Sequence, residues 1–87
     1  MTDFRNRVMP SVRWAPEQDG MGVCDSLSHF ACRMSMEQAV IWDLLFRFPM
    51  TTAVPLLAEV LRVPPSEAER QIEDCLRDWS EKGLIRP

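Results

Sequence analysis

The sequence of 87 residues has little of what most enzymes need. It contains one histidine, three glycines and no tyrosine. It has no glycine-rich phosphate loop, and no pair of His, Asp or Glu residues stands at a metal-binding spacing. Cys24, His29 and Cys32 supply three soft ligands, but their spacing matches no zinc motif and a fourth ligand is missing. The sequence therefore predicts no catalytic residue, no metal site and no cofactor.

Signals for export and for a membrane are absent as well. Three cysteines are an odd number, which is a poor basis for a secreted disulfide framework. No apolar run approaches the roughly 18 residues of a membrane span, and the N-terminus lacks the apolar segment of a signal peptide. A net charge of −3 gives no general attraction to nucleic acid or anionic lipid. We therefore expect a reduced, cytoplasmic protein that binds neither nucleic acid nor a membrane.

The first half of the sequence has the pattern of a small antiparallel sheet. Alternation and turn residues predict three strands, at residues 11–15, 21–25 and 30–34. Asp19-Gly20 is a strong hairpin-turn signal, since both residues tolerate a positive φ. Cys24 and Cys32 are expected on neighbouring strands as small buried groups, and the polar residues 1–7 are expected to be flexible.

The second half has the apolar spacing of helices. Three are predicted, at residues 36–48, at 53–62 and between Ser66 and Gly83. Pro55 is expected in the first turn of the second helix, where no N–H is needed. Cys75 falls on the apolar stripe of the third helix, which favours packing over catalysis, and Gly83 should end that helix. The expected N-caps are Ser35 with Gln38, Thr51 or Thr52, and Ser66 with Glu69.

This order of elements predicts one α+β domain over residues 1–87, with a winged-helix-like arrangement. A winged helix suggests DNA binding, with the third helix in the major groove. Between Ser66 and Gly83, however, six acidic residues outnumber three basic ones, and phosphate would repel that helix. A DNA-binding or regulatory domain is therefore the alternative interpretation, and an interaction domain cut from a larger synthetase is a third.

The chain also resembles a known family, on three segments in this order: GVCDSLSHFACRMS, AVIWDLL and MTTAVPLLAEVLRVPPSEAERQIEDCLRDWSEKGLI. Their spacing is similar to that of PqqD-like peptide chaperones and, more broadly, of RiPP recognition elements from pathways for ribosomally made, modified peptides. The resemblance covers about residues 8–86. The family often has glycine where His29 stands, and Asn or Ser where Ser35 stands. IWDLL and the chain length are similar to the stand-alone leader-binding proteins of lasso-peptide clusters.

The resemblance implies a three-stranded antiparallel sheet packed on three helices. It also implies that the protein binds a precursor's leader peptide and presents it to a maturation enzyme, such as a protease, cyclase or radical enzyme. The leader would be added as a strand to the exposed third strand, which could instead pair with a second copy of the chain. Phe30→Pro is expected to weaken binding by removing an edge donor. The implied peptide-binding residues are Phe30, Ala31, Cys32 and Arg33 on the strand, and Arg70, Gln71, Asp74, Cys75 and Asp78 on the facing helix.

Overall fold

The computed structural model describes residues 4–87, in which three strands precede three long helices. The predicted α+β class and the order of sheet and helices are confirmed. Residues 1–3, part of the segment expected to be flexible, lie outside the described residues. Among residues 4–87, every helix is too short or too polar to cross a membrane. The elements are α1 (Phe4–Arg7), β1 (Val12–Glu17), β2 (Gly20–Asp25), β3 (Phe30–Ser35), α2 (Met36–Arg47), α3 (Met50–Leu61) and α4 (Pro65–Glu81).

The N-terminal helix α1 was not predicted, and it contains residues Phe4–Arg7 of the segment expected to be flexible. The ring of Phe4 is buried and packs edge-on against Trp42, with 5.1 Å between ring centroids, and also contacts Trp79 at 5.9 Å. The chain then forms an antiparallel bridge between Val8 and Ile85. An aromatic anchor and long-range backbone hydrogen bonds to residues 84–86 hold this segment, and neither produces a local sequence pattern.

The sheet is an antiparallel meander in the order β1-β2-β3. Trp14, Val23 and Cys32 pair across the three strands on the inner face, towards the helices. Cys24 takes the outward position next to Val23 and is exposed, so its predicted burial is wrong. Cys32 is half-buried against the core, as expected of an inward position. The buried strand side chains are Val12, Met21, Val23 and Met34.

The two hairpin turns depend on particular backbone conformations. The β1–β2 turn consists of Gln18 and Asp19, neither of which has a positive φ, and Gly20 already belongs to β2. The predicted hairpin is confirmed, but its turn lies one residue earlier than Asp19-Gly20. In the β2–β3 turn, His29 has a φ of 58°, in the left-handed region that glycine adopts most readily. The β2–β3 turn therefore holds a histidine in a backbone conformation that costs it some free energy relative to glycine.

One of the three predicted N-caps is confirmed. The hydroxyl of Ser35 accepts a hydrogen bond from the N–H of Gln38 at 3.2 Å and begins α2. The caps predicted for α3 and α4 are wrong, because Pro49 and Pro64 occupy those positions with no side-chain cap bond. Their fixed φ leads the chain into each helix without a capping hydroxyl. Since α3 begins earlier than predicted, Pro55 lies inside the helix and not in its first turn.

The end of α4 was predicted correctly. Gly83 has a φ of 78° and donates to the carbonyl of Ser80 at 3.1 Å, while Leu84 donates to the carbonyl of Trp79 at 2.9 Å. These two bonds form a Schellman motif, which satisfies the last carbonyls of the helix. Leu84 and Ile85 then fold back and are buried.

An aromatic cluster forms the centre of the core between the sheet and the helices. Trp42 on α2 and Trp79 on α4 meet edge-on, with 5.0 Å between their ring centroids. Trp14 adds a third indole from β1, at 5.3 Å from Trp42. The indole nitrogens of Trp42 and Trp79 are buried with no hydrogen-bond acceptor among the described residues. Rigid aromatic packing therefore fixes the sheet, α2 and α4 relative to one another.

Candidate functional site

The strand β3 lies at the edge of the sheet. It pairs with β2 on one side, and within residues 4–87 no strand occupies its other side. The opposite edge, β1, contains Pro16, which has no N–H to offer to a further strand. Charged or proline-containing edges are common devices against unwanted strand pairing. Since β3 contains no proline, the two edges of this sheet are protected unequally.

The hydrogen-bond alternation of the ladder shows which backbone groups of β2 face each neighbour. In an antiparallel sheet, successive residues of a central strand bond alternately to the strands on either side. Just beyond the β1–β2 pairing, the N–H of Ser26 donates to the carbonyl of Ser11 at 3.1 Å. Cys24 stands two residues before Ser26, so its backbone N–H and C=O groups also bond to β1. Those of Val23, one residue before Cys24, bond to β3.

The same alternation gives the free groups of β3. Cys32 pairs in register with Val23, so its N–H and C=O are used inside the sheet, and those of Phe30 are used in the same way. The N–H and C=O groups of Ala31 and Arg33 therefore point to the open edge. This corrects the expectation for Phe30→Pro, since proline there would break a bond to β2 and not an edge donor.

The strand β3 and the helix α4 do not pack directly against each other. No Cα atom of β3 comes within 8 Å of a Cα atom of α4, whereas α2 contacts both, and we call the space between the two elements the groove. From β3, the half-buried side chains of Phe30 and Cys32 face inward and pack against the core. On α4, Cys75 is buried and Gln71 is half-buried. Apolar surface is therefore available next to the open backbone edge.

The thiol of Cys75 is surrounded by carboxylates. Burial, and then the negative charges of Asp78, Asp74 and Glu37, raise its pKa from 9.0 to about 11. At neutral pH the thiol is therefore protonated and contributes apolar surface instead of a nucleophile. Sequence analysis missed Glu37, although its position two residues after β3 places it at the end of the groove by chain continuity.

Lys82 is the C-cap residue of α4. Its ammonium nitrogen is 2.9 Å from a carboxylate oxygen of Asp78, and this hydrogen bond is the main reason that the pKa of Lys82 is raised. A smaller contribution to the raised pKa of Lys82 comes from Cys32 on β3. Lys82 was not among the predicted site residues, although its i,i+4 spacing from Asp78 is visible in the sequence.

The basic side chains of α4 are all engaged by acidic ones on the same helix. Arg70 pairs with Glu67 and Asp74, Arg77 pairs with Asp74 at 3.3 Å, and Lys82 pairs with a third carboxylate. The hydrogen bonds from Arg70 are the main reason that the pKa of Glu67 is lowered. The acidic residues of α4 therefore offset its basic ones, and the helix has no excess of positive charge to attract a nucleic-acid backbone.

The structure divides the predicted site residues into two groups. The side chains of Phe30 and Cys32 face inward from β3, and those of Gln71, Asp74, Cys75 and Asp78 belong to α4. The side chains of Ala31 and Arg33 instead lie on the outer face of the sheet, so these residues offer only their backbone to the edge. Arg70 is exposed and is held by its two carboxylates on α4. No three His, Cys, Asp or Glu side chains in residues 4–87 come together as a possible metal site.

Two solved structures share the fold of this chain. One is TbiB1 in complex with the TbiA(beta) leader peptide, with 20% identity, a TM-score of 0.83, and coverage of 92% of this chain and 94% of that one. The other is a lasso peptide synthetase B1 complexed with the leader peptide, with 23% identity, a TM-score of 0.85, and coverage of 93% and 96%. The chain has the fold of these B1 proteins. No protein-family model and no curated protein matches it.

The fold expected from the sequence resemblance is thereby confirmed. The B1 fold extends over nearly the whole of both compared chains, so it accounts for the sheet and the helices together. Both B1 structures hold a leader peptide. At this identity few side chains are shared. The charge and the apolar character of the groove therefore depend on the residues of this chain.

Proposed function

We propose that this chain binds the leader segment of a ribosomally made precursor peptide as a fourth strand along β3. The observation that carries the proposal is the open edge of β3, where the backbone groups of Ala31 and Arg33 point outward beside an apolar groove. The leader peptides bound to two proteins of the same fold support it. Addition of a strand to a sheet edge is a general mode of peptide recognition.

Backbone pairing alone does not supply enough free energy for specific binding. The N–H and C=O groups of Ala31 and Arg33 allow four hydrogen bonds, each worth about 1 kcal/mol net. Ordering a disordered leader costs roughly 2–5 kcal/mol, while micromolar affinity needs about −8 kcal/mol in total. Buried apolar leader side chains must make up the difference, at about 1.5–3 kcal/mol each. The groove between Phe30, Cys32 and Cys75 is where every second side chain of the added strand would be buried.

The acidic wall of α4 gives the groove a charge preference. Asp74 and Asp78 on α4 and Glu37 on α2 are close enough to the Cys75 thiol to raise its pKa, and in this proposal they line the rim of the groove. Basic leader side chains next to the apolar anchors would be attracted there, and acidic ones would be repelled. Gln71 adds an amide that can bond to a leader side chain, and Arg70 can meet an acidic leader residue beyond Asp74.

The bound leader would carry the rest of the precursor to a maturation enzyme, such as a protease, a cyclase or a radical enzyme. In this proposal the chain presents the peptide and performs no chemistry itself. Three free thiols fit a reducing cytoplasm, where precursor peptides are made. A homodimer formed through β3 would use the same backbone groups, so self-pairing and leader binding would exclude each other. The DNA-binding alternative is not favoured, because the bases of α4 are already paired.

Titration with a synthetic leader, taken from a precursor gene next to the gene for this chain, tests the proposal. Ala31→Pro removes one outward donor, and Ala31→Ser is the matched control that keeps it. We expect Ala31→Pro to weaken binding by about tenfold or more, while Ala31→Ser stays within about twofold. Wild-type affinity in a folded Ala31→Pro variant would show that the edge is not the site.

Hydrogen exchange on the wild-type protein provides a second measurement that does not depend on the folding of a variant. Leader binding should slow exchange of the Ala31 and Arg33 amides and leave the Cys32 amide, already bonded to β2, nearly unchanged. Binding without protection of Ala31 and Arg33 would place the leader elsewhere on the molecule.

A further inference from the structure

The outer face of the sheet, opposite the helices, is lined by small residues. Antiparallel sheets with one solvated face usually carry polar side chains there. Here Ala15 pairs with Gly22, and Cys24 pairs with Ala31, all at outward positions of the three strands. These four residues form the floor of an open cavity of about 490 Å³. A block of small, weakly polar residues leaves room for an inserted side chain.

Charged side chains close the two ends of this cavity. At one end, Arg33 donates to Glu17 at 2.9 Å and joins β3 to β1 across β2. The carboxylate of Glu17 lies over Gly22, where a Cβ would come within 2.8 Å of its oxygen. At the other end, Arg13 donates to backbone carbonyls and forms no ion pair within residues 4–87. The cavity therefore carries one unbalanced positive charge on a chain of net charge −3.

The cavity is continuous with the open edge of β3. Ala31 and Arg33 line it with their side chains and form the edge with their backbone groups. A strand added to β3 would extend this face by one strand and would place alternate leader side chains beside the cavity. The outer face would thus differ between the empty protein and the loaded one.

We propose that this outer cavity is the docking site of the maturation enzyme. A segment of the enzyme inserts an apolar side chain between Ala15, Cys24 and Ala31, and a neighbouring carboxylate pairs with Arg13. The proposal rests on the proposed leader binding, because the bound leader forms the outer wall of the cavity. Docking of this kind makes the enzyme favour the loaded protein over the empty one.

The test is a titration of the leader-loaded protein with the purified enzyme encoded beside the precursor gene. Ala15→Arg fills the cavity from β1, the strand farthest from the leader edge. We expect it to weaken enzyme binding by about tenfold or more and to change leader affinity by less than about twofold. Arg13→Glu is a second variant, and it should weaken enzyme binding through charge without filling the cavity.

Val60→Arg is the matched control, since it places the same side chain on an exposed apolar position of α3. Equal enzyme binding by Ala15→Arg, Arg13→Glu and the wild type would overturn the proposal, and so would a loss seen with Val60→Arg alone. Dissociation of a dimer by Ala15→Arg, with enzyme binding unchanged, would assign the face to a second copy of the chain. The affinity of the wild type for the leader is measured separately. A wild type that does not bind the leader would count against the proposed function itself.

Discussion

The α-carbon of Gly20 lies directly against the carbonyl of Met34, with no room for a side chain between them. A Cβ at Gly20 would stand 2.0 Å from the carbonyl oxygen, and the backbone there has a φ of 157°. Gly20 begins β2, while Met34 is the buried residue near the end of β3. The contact joins the two strands at the point where the sheet leads into α2.

Replacement of Gly20 should destabilise the fold strongly. We expect Gly20→Ala to lower the free energy of unfolding by about 2 kcal/mol or more, because backbone atoms must move to admit the Cβ. Urea unfolding measures it. Gly83→Ala is the matched control, since a Cβ there meets no atom within 4 Å and only the positive φ opposes it, at about 1 kcal/mol. Equal losses in the two variants would mean that the contact with Met34 relaxes easily.

Phe4 should contribute to stability although it lies close to the N-terminus. Phe4→Ala removes a buried ring from the Trp42–Trp79 cluster, and we expect a loss of about 3 kcal/mol in the free energy of unfolding. Asn6→Ala, on the exposed side of the same short helix, should have little effect. Similar urea midpoints for Phe4→Ala and the wild type would show that α1 is not held in solution.

Two variants of Arg33 should separate the role of its backbone from that of its side chain. Arg33→Ala removes an exposed ion pair with Glu17 and keeps the outward N–H, so leader affinity should change by about twofold or less. Arg33→Pro also removes the N–H, and we expect a further loss of about tenfold. Calorimetric titration with the synthetic leader measures both. A large loss of leader affinity already present in Arg33→Ala would show that the guanidinium group, and not the backbone N–H, contributes to binding.

The three thiols should differ in reactivity. Near neutral pH, we expect a maleimide to label the exposed Cys24 first and the half-buried Cys32 more slowly. Cys75 should react only after unfolding, because it is buried and its pKa is raised to about 11. Mass spectrometry of labelled peptides over time gives the order. Early labelling of Cys75 in the folded protein would contradict the environment described for the groove.

The raised pKa of Cys75 also predicts that the free energy of unfolding falls at alkaline pH. The folded state holds the Cys75 proton up to about pH 11, whereas an ordinary thiol loses it near 9.0, so unfolding releases a proton between these values. The contribution is full below pH 9.0 and declines as the pH rises towards 11. Urea midpoints measured across this interval should fall less steeply in Cys75→Ala than in the wild type. Parallel slopes would show that the thiol does not titrate differently in the two states.

Features that depend only on residues close in the sequence were predicted correctly from local patterns. Ser35 with Gln38, and Gly83 after the last apolar turn, were recognised because a cap needs only a few neighbouring residues. The three strands and their order followed from alternation and turn residues, and the overall fold followed from the spacing of the resembling segments. The open edge of β3 was likewise expected, since the last strand of a meander has one neighbour.

Features that depend on distant contacts were missed. The helix α1 is held by Phe4 against two indoles from other elements, so nothing in its own sequence marks it. The starts of α3 and α4 were misplaced because proline took the place of a capping hydroxyl. Cys24 was wrongly placed inside because the register relative to Val23, and not the residue type, decides which face it takes.

Where the chain enters and leaves this domain, the two segments are hydrogen-bonded to each other. The N–H of Arg86 donates to the carbonyl of Arg7 at 2.7 Å, and Val8 bridges Ile85. A domain with adjacent ends suits circular permutation, and it can be spliced into a surface loop of a host protein through short linkers. The strand arrangement that leaves β3 free would be carried along unchanged, so the host protein would display the same open strand edge on its surface.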